Sequence, residues 1–285
     1  MSPASPSTSH PDDYCQQKAA ASGSSFYYSF LFLPPERRQA ITALYAFCRE
    51  VDDVVDETSD PLVARGKLGW WRGEIDALYA GQPSHPVTRA LATARQRFAL
   101  PQEQLVEIID GMEMDLDYNR YPDFKSLHLY CYRVASVVGL LAAEIFGYTD
   151  RQTLKYAHDL GLAFQLTNII RDVGEDAQRG RIYLPLDELA RFGVEEHDLL
   201  DARYSDNFCA LMAFQIVRAR GQYVSAFAHL PAVDRRSQRA GLIMAAIYRT
   251  LLDEIEHDGS HVLDRRISLT PVRKLWIATR TWLRS

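Results

Sequence analysis

Two D-x-x-x-D pairs, at Asp52/Asp56 and Asp172/Asp176, constrain this chain more than any other feature. Each lies in an otherwise apolar helical run. In Gln165–Pro185 the residues Gln165, Asn168, Asp172 and Asp176 fall at spacings of three, four and four. Residues three or four apart stack on one helix face. The two carboxylates then lie about 6 Å apart along the axis. Like charges at that spacing repel, and Asp is a poor helix former. A helix that keeps both calls for a compensating cation; for one such pair alone, a solvated acidic face near a helix end is the plainer reading. The second pair repeats the arrangement: Asp53 stands beside Asp52 and Asp56, Arg49 one turn before Asp53, and Tyr45 one turn before Arg49. Mg²⁺ is usually held by one or two carboxylates plus substrate phosphates. Two facing acidic helices therefore read as a clamp in which metal ions bridge protein carboxylates and a diphosphate.

Four segments add to this pattern: SGSSFYYSFLFLP (Ser22–Pro34), YAFCREVDDVVDE (Tyr45–Glu57), YCYRVASVVG (Tyr130–Gly139) and QLTNIIRDVGEDAQRGRIYLP (Gln165–Pro185). With them, the chain resembles the squalene/phytoene synthase family of head-to-head prenyl transferases from about Tyr14 to the C-terminal region. The first segment is most similar to the presqualene diphosphate synthases of bacterial hopanoid pathways. The resemblance implies two or three Mg²⁺ ions held by Asp52, Asp56, Asp172 and Asp176, with Asp53 and Asn168 in support. It implies diphosphate contacts from Ser22, Ser24 and Ser25, and from Arg49, Arg171, Arg181 and Tyr183. Some relatives carry basic residues in the first segment, where this chain has only small polar ones. Tyr130 matches the family's proton-handling tyrosine, although an unperturbed phenol with a pKa of about 10 is a poor base. Phe26, Tyr45, Val134, Val138, Gln165 and Tyr248 are the expected cavity residues, and Arg265 is a further phosphate candidate.

The implied reaction is the condensation of two farnesyl diphosphates to presqualene diphosphate. NADPH is not expected for that half-reaction. Three alternatives remain: a phytoene synthase acting on geranylgeranyl diphosphate, a full squalene synthase using NADPH, and a non-catalytic binding member of the fold. Downstream pathway enzymes are the implied protein partners.

No run of alternating strands and no Gly-rich phosphate loop is visible. The expected fold is all-α, a single large helical bundle with a central cavity, of isoprenoid synthase type. A length of 285 residues with 47% hydrophobic content allows a substantial core. The net charge of −5 gives no reason to expect nucleic acid. Four scattered cysteines and no secretory signal favour reduced thiols in the cytoplasm. The longest apolar runs, such as Val134–Ala143, stop short of the roughly 20 residues that span a membrane.

Residues 1–13, rich in Ser and Pro, read as a disordered tail, and 14–285 as one domain. Helices are expected from Tyr14, from Pro34-Pro35 to Asp56, Pro61 to Tyr79, Pro86 to Phe98, Pro101 to Tyr118, Phe124 to Phe146, Asp150 to Val173, Leu186 to Phe192, Asn207 to Leu230 and Asp234 to His257. Glu113, Asp115 and Asp117 read as a solvated or supporting acidic cluster. Arg265–Ser285 carries six basic residues, no acidic one, and Trp276 and Trp282. That composition suits a helix resting on anionic lipid at the inner membrane face; a terminal helix packed on the domain is the competing reading.

Overall fold

The computed structural model describes residues 10–21 and 25–284. Among these the regular elements are helices, with one isolated parallel bridge between Arg120 and Ile182. In chain order they are α1 (Pro11–Ala21), α2 (Ser25–Phe30), α3 (Pro35–Glu57), α4 (Pro61–Tyr79), α5 (Pro86–Arg95), α6 (Gln102–Asp117), α7 (Phe124–Cys131), α8 (Val137–Phe146), α9 (Gln152–Gln178), α10 (Leu186–Phe192), α11 (Glu196–Leu200), α12 (Asp206–His229), α13 (Arg239–His257) and α14 (Pro271–Arg284).

Local chemistry places most of the boundaries. Pro35, Pro61 and Pro86 open α3, α4 and α5 in the first turn, where no backbone N–H is needed. The side chains of Asp60, Asp123 and Ser205 cap α4, α7 and α12 by accepting backbone N–H groups. Gly193 ends α10 in the left-handed region at φ 66°.

The helices enclose two apolar cores. One gathers Leu44, Phe47, Leu68, Ile109 and Leu141 from α3, α4, α6 and α8. The other gathers Leu166, Phe208, Ile216 and Ile243 from α9, α12 and α13. Each such side chain, fully buried, contributes about 1.5–3 kcal/mol. The seam between the two cores, bounded by α3, α8, α9 and α13, holds the cavity described below.

Four expectations about elements change. The first helix starts at Pro11, not Tyr14, so the expected tail is shorter than 1–13, and residues 1–9 lie outside the described ones. Phe124–Phe146 is not a plain α-helix: Tyr132–Ser136 forms a π-turn between α7 and α8. Its 23 residues are long and apolar enough to cross a membrane, unlike the shorter run read from sequence, but Tyr130, Cys131, Val137 and Leu141 are buried in the two cores. The second aspartate helix continues past Val173 to Gln178, because the polar residues at its end line a cleft. Finally, α13 begins at Arg239 rather than Asp234. Asp234 sits in a short 3-10 turn, where it accepts hydrogen bonds from Thr149, Asp150 and Thr153.

Candidate active site

The two acidic helices line one polar cleft of about 700 Å³. Asp52 and Asp56 enter from α3, and Asn168, Asp172 and Asp176 from α9. Arginines sit among them. Arg49 pairs with Asp52, Arg171 with Asp172 through Nε at 2.7 Å, and Arg181 with Asp56 at 2.9 Å. Arg179 also reaches Asp56 at 2.9 Å. The loop carrying Arg179 and Arg181 is fixed by the Ile182 amide, which donates to the Asn119 carbonyl at 2.9 Å.

Even with these cations the acids are short of counter-charge. Burial pushes the Asp52 carboxyl up to about 6 against the pull of Arg49, and Asp56 and Asp115 add repulsion. Burial, then Asp172 and Asp115, push Asp176 up to about 8. The Asn168 amide donates to Gln165 Oε1 at 3.3 Å, while its own Oδ1 is buried with no hydrogen-bond partner. Buried carbonyl oxygens are rarely left unpaired. Hard carboxylate and amide oxygens with unmet demand for positive charge fit a divalent cation of the Mg²⁺ type. Among the described residues no three His, Cys, Asp or Glu side chains form a group that could hold an ion by themselves. The donor set therefore suits ions completed by a ligand's oxygens rather than an all-protein cage.

Several side chains differ from their expected place. Asp53 does not line the cleft: one residue on from Asp52 it turns away, and Lys18 of α1 holds it at 2.8 Å together with Arg49. Arg265 is exposed and forks onto Asp258 at 2.7 Å. Its neighbour Arg266 enters the cleft and reaches Asp172 at 3.2 Å, and Lys274 lines the same cleft. Arg266 is delivered by a strap that crosses α9 at Gly174, where the Gly174 amide meets the Val262 carbonyl at 3.1 Å and a Cβ would lie 2.2 Å from the Leu263 carbonyl oxygen. Ser25 lines the cleft, whereas Ser22 and Ser24 lie outside the described residues.

Of the three acids read as a solvated or supporting cluster, only Asp115 enters the site. Glu113 and Asp117 point outward to Arg65, but Asp115 lines the cleft. It accepts hydrogen bonds from Tyr183 at 2.7 Å and Tyr130 at 3.1 Å, and these two phenols stack with ring centres 5.1 Å apart. Burial pushes Asp115 up to about 6, partly offset by Arg181 and the two phenols. Burial and then Asp115 push the Tyr130 phenol well above its ordinary range, and its hydroxyl donates to Asp115. A signal was present: Asp115 follows Ile108, Gly111 and Met112 by seven, four and three residues, on the buried face of α6.

An apolar tunnel of about 180 Å³ leads inward from the cleft. Phe26, Tyr45, Cys48, Val134, Gln165 and Asn168 line both spaces and mark the junction. Rings surround the entrance: Phe26 lies 5.6 Å from Tyr45 and 6.3 Å from Tyr248, and Phe164 lies 4.9 Å from Tyr248. Val138, Ala142 and Ala157 continue the wall, and Phe146, Tyr156 and Gly241 lie at the far end of their helices. The small residues of the third motif do two jobs. Gly139 lets α8 touch α9, since a Cβ there would stand 2.4 Å from the Ala157 carbonyl oxygen, while its neighbours line the tunnel.

A helical bundle whose apolar tunnel opens on an acidic cleft defines an isoprenoid synthase fold. The sequence profile of the family described as squalene/phytoene synthase matches residues 19–273, and the chain belongs to that family. It is 36% identical to a 15-cis-phytoene synthase of Synechocystis, over 96% of this chain and 85% of that protein. It is 37% identical to a phytoene synthase of Arthrospira platensis, over 96% of this chain and 93% of that one. Among solved structures, a dehydrosqualene synthase in complex with ligand superposes with a TM-score of 0.83 at 29% identity, covering 95% of each chain. The protein is thus a prenyltransferase-type enzyme with a prenyl diphosphate substrate. These relatives overturn the expected condensation of farnesyl diphosphates to presqualene diphosphate, and with it the hopanoid assignment. That expectation leaned on one short segment near Ser22–Pro34, whereas the similarity to phytoene synthases runs over 96% of the chain.

Proposed function

We propose that this enzyme is a phytoene synthase, joining two geranylgeranyl diphosphates head to head. The observation that carries the reading is its similarity to phytoene synthases across 96% of the chain. The tunnel's length supports it. From Asn168 to Tyr156, α9 lines the tunnel over twelve residues, or about 18 Å. With carbon–carbon bonds of about 1.5 Å, an extended geranylgeranyl chain spans roughly 19 Å and a farnesyl chain roughly 14 Å. The longer chain fills the tunnel as far as Tyr156.

The cleft would hold the diphosphates. Arg49, Arg171, Arg181 and Arg266 supply planar forks suited to phosphate oxygens. Asp52, Asp56, Asp172, Asp176 and Asn168 would hold magnesium. When bound, magnesium neutralises charge on the departing diphosphate, worth several kcal/mol in the transition state. The carbon–oxygen bond of one substrate breaks, leaving an allylic cation at the junction. Faces of Phe26, Tyr45 and Tyr248 stabilise it by roughly 0.5–2 kcal/mol each. The tunnel excludes water, the competing nucleophile. The double bond of the second substrate attacks, and loss of a proton closes a cyclopropane. A departed diphosphate oxygen is the base; the Tyr130 and Tyr183 hydroxyls beside it donate to Asp115. Loss of the second diphosphate, rearrangement and loss of another proton complete phytoene, so no reductant is consumed.

Product extraction after incubation with geranylgeranyl or farnesyl diphosphate, with and without Mg²⁺, tests the reading. The expected result is a forty-carbon triene-centred hydrocarbon from geranylgeranyl diphosphate, dependent on Mg²⁺, independent of NADPH, and lost in Asp52→Ala and Asp172→Ala. Preferred turnover of farnesyl diphosphate, or full activity of both variants without metal, would overturn it.

A further inference from the structure

The outward face of α14 is its most apolar one, the reverse of what a helix packed on a domain presents to water. Ile277 and Ala278 face the core. On the opposite side Val272, Trp276 and Leu283 are 78%, 57% and 71% exposed. Their spacings of four and seven residues set them in one stripe along the helix. Leu275 and Trp282, also exposed, widen it. Arg273, Arg280 and Arg284 run along one edge of the stripe, at spacings of seven and four. The segment Arg265–Ser285 has six basic residues and no acidic one, in a chain whose net charge is −5. Neighbouring α2 and the turn after it add Tyr27 and Leu31, both exposed. The two helices are joined by Lys274, 5.8 Å from the Tyr28 ring, and Trp282 stacks on Phe32 at 5.5 Å.

We propose that α14, with α2 beside it, is a docking surface for an anionic lipid bilayer. The helix lies in the membrane interface with Val272, Trp276 and Leu283 immersed and Arg280 and Arg284 at headgroup level, Arg273 being paired with Glu254 of α13. An exposed apolar stripe alone would leave the partner open. The adjoining row of arginines on a net acidic protein selects a negatively charged surface, and Trp beside Arg is the pairing suited to the interface between headgroups and acyl chains. Each basic residue near such a surface contributes about fivefold in partitioning. The position of the patch has a consequence. Arg266, Ile267, Ser268 and Lys274 line the polar cleft and flank or belong to α14, so a docked enzyme holds its cleft at the membrane surface. That consequence alone rests on the proposed hydrocarbon product, which would leave directly into an apolar phase; the docking itself does not.

Flotation of the full-length protein with vesicles tests it. Vesicles of phosphatidylcholine alone are compared with vesicles of equal parts phosphatidylcholine and phosphatidylglycerol. The expected result is flotation with the anionic vesicles only, weakened by salt. Val272→Ser/Trp276→Ser/Leu283→Ser abolishes it, and Arg280→Gln/Arg284→Gln lowers partitioning on the order of twentyfold. Both variants keep wild-type thermal midpoints and the turnover of prenyl diphosphate in detergent, which separates lost docking from lost folding. Wild-type protein that stays unbound, or a triple variant that floats as well as wild type, overturns the proposal. So does a dimer in solution that the triple variant abolishes without any flotation of wild type, since the stripe would then join two copies. Flotation is read without turnover, so it stands or falls apart from the chain-length assignment.

Discussion

Asp115 and Tyr156 show how single buried polar groups shape this site. Asp115 gathers the two phenols and lies close enough to Asp52 and Asp176 to raise both. Asp115→Asn is expected to lower kcat about a hundredfold through loss of the charge that orients Tyr130 and Tyr183. The thermal midpoint should hold or rise, because a neutral amide relieves repulsion; steady-state rates and a melting curve check both. Tyr156 is 1% exposed, and its hydroxyl has no partner at the end of the tunnel. Tyr156→Phe should stabilise the protein by about 1 kcal/mol in thermal or denaturant unfolding. A Cβ at Gly241 would lie 2.8 Å from that hydroxyl. Gly241→Ala is therefore expected to push the phenol into the tunnel and to shift product ratios in mixed-substrate extracts toward the shorter chain. The acid pairs themselves were legible from spacing, because a helix face follows from sequence separation. Asp53, Arg265 and Arg266 were not: adjacent residues differ by about 100° around a helix or by a strap's path, and only packing chooses among them.

At the level of elements, two joints decide whether the site assembles. Asp234 ties the 3-10 turn before α13 to the start of α9. Burial would raise its carboxyl, but hydrogen bonds from both threonines and two backbone amides prevail and pull it down to about 2. The folded value lies below the unfolded one of about 3.9. The contribution, about 2 kcal/mol, is complete above the unfolded value and is lost as pH falls through about 2. Asp234→Asn should remove that amount at neutral pH and flatten the acid limb of a stability–pH curve between about 4 and 2. The other joint is the crossing at Gly174. Gly174→Ala meets backbone, not a yielding side chain, so about 1–3 kcal/mol of stability should go. Activity should fall with it as Arg266 leaves Asp172; Arg266→Ala should lose the activity and keep the stability. The π-turn at Tyr132–Ser136 lay beyond sequence reading. Periodicity sees one apolar helix there, whereas the π-turn lies against Gly111, where a Cβ would stand 2.8 Å from Arg133 Cβ and Val134 Cγ1.

Across the whole molecule the acid pairs join helices from the two apolar cores, α3 from one and α9 from the other. A ligand bridging them should stabilise the entire bundle. A non-hydrolysable prenyl diphosphate analogue with Mg²⁺, at a hundred times its Kd, should add about 2.7 kcal/mol. Calorimetry with the analogue alone should show a clearly smaller gain, because the carboxylates then face the diphosphate without a bridge.

The sequence by itself determined the helical class, the periods of the principal helices and the pairing of aspartates on one face of α3 and one of α9, since these depend on separations along a chain. Tertiary structure alone decided that Arg266 and not Arg265 reaches the cleft, that Asp53 turns away from it, and how far the tunnel runs. Those outcomes depend on where side chains from distant helices meet, and the distance between two such atoms is set by packing, which no local pattern records.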